Sequence, residues 1–99
     1  MSYVILGSKE GQYRTEPGEG MEAVERWDYL FYGRKRASFV IANLPAEGRV
    51  RVIDEAGVET LNLVPTKFLE KFDSIEAARA SLEELASFGR MDIRLVRAE

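Results

Sequence analysis

The 99-residue chain contains neither cysteine nor histidine. Without cysteine there are no disulfides, thiolate metal sites or thiol nucleophiles, so side-chain burial alone must hold the core. Without histidine the chain lacks the commonest general base near neutral pH and the commonest transition-metal ligand. Ser-His-Asp triads and zinc hydrolase centres therefore cannot be built from this chain by itself. Carboxylate, lysine, tyrosine or arginine chemistry remains, or none.

Long apolar runs are also missing, and no segment approaches the ~20 apolar residues that cross a bilayer. The apolar start at residues 3–6 has no basic stretch before it and runs at once into Gly7-Ser8-Lys9-Glu10, unlike a secretory signal. A soluble, cytoplasmic protein with no membrane association is expected. Neither G-x-x-x-x-G-K-[ST] nor G-x-G-x-x-G occurs. Gly7, Gly11, Gly18 and Gly20 read as turn residues, and their neighbours Glu10, Glu16 and Glu19 repel phosphate. Asp54, Glu55 and Glu59 lack the spacing of a calcium loop. The sequence thus predicts no catalytic residue, no metal site and no cofactor.

What is present is a 45% hydrophobic chain of a length that suits one globular domain over residues 1–99. The net charge of −3 is unevenly distributed. Residues 1–33 carry −3, residues 34–53 carry +4 and residues 54–99 carry −4. An acidic protein with a basic middle is poorly suited to coating nucleic acid, but it permits a local anion site or a complementary protein interface.

Periodicity predicts mostly strands. Residues 3–6 and 12–15 form a short pair, and Glu16-Pro17-Gly18-Glu19-Gly20 forms an exposed loop. Residues 22–32 alternate, with Ala23, Glu25, Trp27, Tyr29 and Phe31 on one face. A turn at Gly33–Arg36 leads into residues 37–44, which are apolar on both faces and belong centrally in a sheet. Residues 49–53 and 58–64 flank Asp54-Glu55-Ala56-Gly57 as a hairpin, with Gly57 available for positive φ. Thr66 to Phe72 suits a short helical turn with Phe68, Leu69 and Phe72 inward.

A helix over about 74–88 follows, with Asp73 as N-cap and Glu76 as its box partner. Ile75, Ala78, Leu82 and Leu85 make its buried stripe, while Glu76, Arg79 and Glu83 face water. Gly89 after Phe88 caps it, and residues 91–97 supply a last strand. The predicted class is α+β: a mainly antiparallel, twisted sheet of five to seven strands, with one C-terminal helix across it and a strand after it.

The most distinctive stretch is residues 26–44. Trp27, Tyr29 and Phe31 suit either a stacking platform, with Arg34, Lys35 and Arg36 holding phosphates, or an ordinary core beneath a solvated turn. The second option is favoured because cores claim aromatics far more often than ligands do. RASFVIA, at residues 36–42, offers only Phe39 toward the central motif of RNA-recognition strands, so nothing is carried over from it. Asp28 suits an ion pair with Arg34, Arg36, Arg49 or Arg51. Arg49, Arg51, Arg94 and Arg97 suit cross-strand ion pairs, or a charged interface with another chain.

The preferred functional reading is a small non-catalytic interaction module or accessory subunit, for example of a metabolic enzyme complex, that binds a protein partner or itself. Its contact residues are expected among Trp27, Tyr29, Phe31, Arg34, Lys35, Arg36, Arg49 and Arg51. The alternative is binding of a nucleic acid or nucleotide-like anion through the aromatic and basic hairpin. A third reading is a small enzyme using Asp28 or a tyrosine.

Overall fold

The computed structural model describes residues 2–87 and 89–98. The fold is α+β with seven strands and one helix. In chain order the strands are β1 (Ser2–Ser8), β2 (Tyr13–Glu16), β3 (Ala23–Phe31), β4 (Arg34–Leu44), β5 (Arg49–Asp54), β6 (Thr60–Pro65) and β7 (Ile93–Arg97), with α1 (Ile75–Leu85) before the last strand. The strands are divided between two antiparallel sheets, a larger one in the order β1-β4-β3-β7 and a smaller one in the order β2-β5-β6.

β4 lies inside the larger sheet because both of its faces are apolar. Val40, Ala42 and Leu44 join Val4 and Leu6 of β1 against Val50, Val52 and Val64 of the smaller sheet. On the opposite face Ile41 meets Ala78 and Leu82 of α1, edged by Ile5, Trp27, Phe39 and Leu95. The molecule is therefore layered as helix, larger sheet, smaller sheet. Each fully buried Leu or Ile here contributes ~1.5–3 kcal/mol by leaving water.

The β3–β4 connection differs from the expected turn at Gly33–Arg36. Phe31 faces Arg34 in register, so Tyr32 and Gly33 alone form the loop, both at positive φ (50° and 79°). That is the handedness that a two-residue hairpin demands. Arg34, Lys35 and Arg36 consequently lie within β4. The β5–β6 hairpin forms as expected, but Gly57 is not at positive φ; its turn starts where Asp54 Oδ1 accepts from Ala56 N at 2.9 Å.

The N-cap of α1 is Ser74, whose hydroxyl accepts from Ala77 N at 3.0 Å, and not Asp73. The helix ends at Leu85, shorter than the predicted span, and Leu85 is exposed. Gly89 takes φ 56° in the turn beyond; Phe88 lies outside the described residues. The segment Thr66–Phe68 forms a 3-10 turn, but Phe68 points outward at 72% exposure. Thr66 is buried in its place, its hydroxyl accepting from Gly48 N at 2.9 Å.

Gly18 has a structural role that turn composition does not reveal. A Cβ there would come within 1.7 Å of the Arg49 carbonyl oxygen, so the loop passes directly over the start of β5 and only glycine fits.

Candidate functional site

Along β4 the three cations do not gather. Lys35 borders a cleft on the smaller-sheet side, whereas Arg36 borders a hollow on the helix side beside Tyr29 and Phe39. A register shift between Tyr29 and Leu30 separates these two positions. Lys35 pairs with Asp28 at 3.4 Å, so the partner of Asp28 is Lys35 and not one of the four arginines expected.

The three aromatics are half-buried. Trp27 packs against the helix cluster, its indole N–H donates to Glu25 Oε1 at 2.9 Å, and the Arg97 guanidinium lies 5.7 Å from its ring. Tyr29 meets Phe39 edge-on at 6.2 Å, and Phe31 meets Tyr32 at 4.7 Å. The geometry thus distributes the aromatics and cations of residues 26–44 over two faces and the hairpin tip.

Glu25 is the residue that sequence reading passed over. It is 5% exposed, on the helix side of β3, and is gripped by Arg79 through both carboxylate oxygens, with Arg97 at 3.8 Å. The Arg79 hydrogen bond, against the opposing effect of burial, holds the Glu25 carboxyl below the usual carboxylate range, and Glu25 raises Arg79 in return. Arg79 therefore does not simply face water, and the signal lay in the alternation: Glu25 shares its face with Trp27. A cleft of about 380 Å³ opens beside this group, lined by Trp27, Arg79, Leu82 and Leu95.

A larger cleft of about 520 Å³ lies between the larger sheet and β2, with Arg26, Lys35, Arg14 and Arg51 among its walls. Its charge is largely answered internally. Arg14 pairs with Glu55 at 2.5 Å and Glu16 at 3.2 Å, and Arg51 pairs with Glu16 at 3.3 Å across the β2–β5 register. The cross-strand ion pairing expected for Arg51 is seen here; among the described residues Arg49 has none. Such exposed pairs stabilise by ~0–1 kcal/mol each. Among the described residues no three carboxylates converge as a metal site, and no helix is long and apolar enough to cross a membrane.

The four sheet edges differ in how they are closed. β1 is covered at one end by Phe72, which exchanges two 2.8 Å backbone bonds with Tyr3, and at the other by Thr15, whose hydroxyl donates to the Gly7 carbonyl. β2 has four residues, including Arg14 and Glu16, and meets Pro17. β7 carries Arg94 and Arg97 in five residues. Short length, charge and proline all discourage unwanted pairing.

β6 reads TLNLVP, with no charge; its one guard, Pro65, stands at the last position. Leu61 and Leu63 are 58% and 53% exposed, and the flanking Val58 and Phe68 reach 87% and 72%. Thr66 N bonds Gly48 O and Glu55 N bonds Gln12 O, which fixes the ladder's alternation. Even-numbered residues of β6 bond to β5, so the amides and carbonyls of Leu61 and Leu63 point outward from the sheet. The sequence predicted this strand but not its position at an edge, which only the sheet order reveals. No protein-family model matches this chain, and no curated protein or solved structure matches it either.

Proposed function

We propose that the protein is a non-catalytic interaction module that docks a protein partner by adding a strand to the β6 edge. The observation that supports this reading is the contrast among the four edges: three are covered, charged or short, and β6 presents open backbone groups beside exposed leucines. Added strands gain affinity from main-chain hydrogen bonds and specificity from alternate side chains, and an edge strand left without charge is suited to that use. The predicted contacts at Trp27, Tyr29, Phe31 and the β4 cations lie on the other sheet, which moves the proposed contact surface to β6.

The test is the size of the assembly formed in an extract of the source cells, compared between wild type and a Leu61→Lys/Leu63→Lys variant. Both leucines are exposed in the single chain, so the variant is expected to fold, as its circular dichroism spectrum would show. The expected result is a defined assembly that the variant loses and that Arg94→Ala retains. A protein that migrates as a monomer in the extract, or an assembly indifferent to both lysines, overturns the reading.

A further inference from the structure

Given β6 as the docking edge, we infer that the strand it accepts is β6 of a second copy, antiparallel, about a two-fold axis at Asn62. This inference rests on the docking role proposed above and names its partner.

Three features make β6 its own complement. The first is the ladder. With Asn62 opposite Asn62 of the second copy, Leu61 stands opposite Leu63, and both belong to the set whose backbone groups point outward. They exchange paired hydrogen bonds twice, once on each side of the axis. Pro65 then falls opposite Glu59, where its carbonyl still accepts and its missing N–H removes one bond on each side. The two three-stranded sheets become one six-stranded sheet, an isologous contact that closes on itself.

The second feature is charge. Glu59 precedes β6 and Lys67 follows it, and neither has an ion pair among the described residues. Antiparallel pairing brings the end of β6 that Glu59 precedes beside the end of the other copy's β6 that Lys67 follows, so opposite charges share each end of the seam. Parallel pairing would set like charges side by side. The third feature is the apolar flank. Val58 and Phe68, at opposite ends of β6, are the two most exposed large hydrophobics among the described residues. The same two-fold brings the turn that carries Val58 in one copy to the end of the seam where the 3-10 turn of the other carries Phe68, so the two exposed apolar groups share each end. A partner of unrelated sequence would need to supply both complements; a second copy has both.

The absence of cysteine permits a direct test on the purified protein. In the proposed register Asn62 forms the non-hydrogen-bonded pair at the axis, where Cα atoms come ~4.5 Å apart, within disulfide reach. Light scattering across a concentration series is expected to give twice the chain mass. Asn62→Cys is expected to cross-link rapidly to itself under mild oxidation, whereas Leu61→Cys cross-links with Leu63→Cys in a mixture far better than either does alone. Glu59→Lys is expected to weaken the dimer severalfold, and adding Lys67→Glu to restore it.

A purified monomer with no Asn62→Cys cross-link overturns the self-pairing. If the extract assembly still depends on Leu61 and Leu63, the docking edge stands with another partner; if that dependence is also absent, both readings fall. A dimer in which Asn62→Cys fails to cross-link and Leu61→Lys/Leu63→Lys has no effect also overturns the proposal, because the copies then meet elsewhere.

Discussion

The two faces of β4 are buried in different ways. Toward the smaller sheet its buried residues pack in an aliphatic cluster with Val4, Leu6 and Val50. Toward the helix it meets aromatics, and beside Ile41 in the register stands a buried carboxylate tied to Arg79. Aliphatic contact is insensitive to pH, whereas a buried ion pair is not. One sheet thus joins a layer held by dispersion and water exclusion to a layer whose attachment also depends on charge.

The largest effect that sharpens this contrast is expected on the aliphatic side. Leu6→Ala should lower stability by ~2–5 kcal/mol, the usual range for a buried leucine, and by the same amount at neutral and acid pH. Urea unfolding at two pH values measures this, and a loss that shrinks with acid would break the distinction.

Next comes Glu25→Gln, with a cost of ~1.5–3 kcal/mol at neutral pH, typical of a hydrogen bond to a charged group. The folded-state pKa of Glu25 is depressed, so its contribution is fully present above the unfolded-state pKa and is lost as pH falls through the folded value. Wild type and variant should therefore converge in acid, with the wild type showing the steeper loss below the ordinary glutamate range. Parallel curves would remove the ion pair from the account.

Ser74→Ala should cost ~1 kcal/mol by exposing a helix N–H, and amide exchange should quicken in α1 while the smaller sheet stays protected. Smallest is Tyr32→Asn at the hairpin tip, remote from both faces. Asparagine tolerates positive φ better than tyrosine, so thermal unfolding should shift upward by the equivalent of up to ~1 kcal/mol.

The parts of the fold legible in the sequence were those written in local periodicity. The two apolar faces of residues 37–44 placed β4 inside a sheet, and the turn-forming residues Asp54-Glu55-Ala56-Gly57 between two strand-like runs marked the β5–β6 hairpin. Pairing between sheets is not local, so nothing near residue 60 announced that β6 would lie at an edge. The cap shifted by one residue because Asp73 and Ser74 are both good caps and only the chain direction chooses. Hydrophobicity alone directs Phe68 inward, whereas in the structure a buried threonine with a hydrogen-bonded hydroxyl takes the interior position. For the site, the cations at 34–36 looked like a cluster because sequence adjacency ignores the pleat. Glu25 was hidden by the habit of reading carboxylates as solvated, although its alternation partner was Trp27.

β7 finishes the larger sheet by lying against β3 with Trp27 opposite Arg97, a pairing that spans seventy residues. Long-range closures of this kind slow folding, because the loop must be ordered before any contact rewards it. The β5–β6 hairpin is local and can form well before that closure. Its open edge is thus on display during an interval when the larger sheet is still unfinished. Trp27 sits at the closing seam, so its emission during refolding marks the end of that interval.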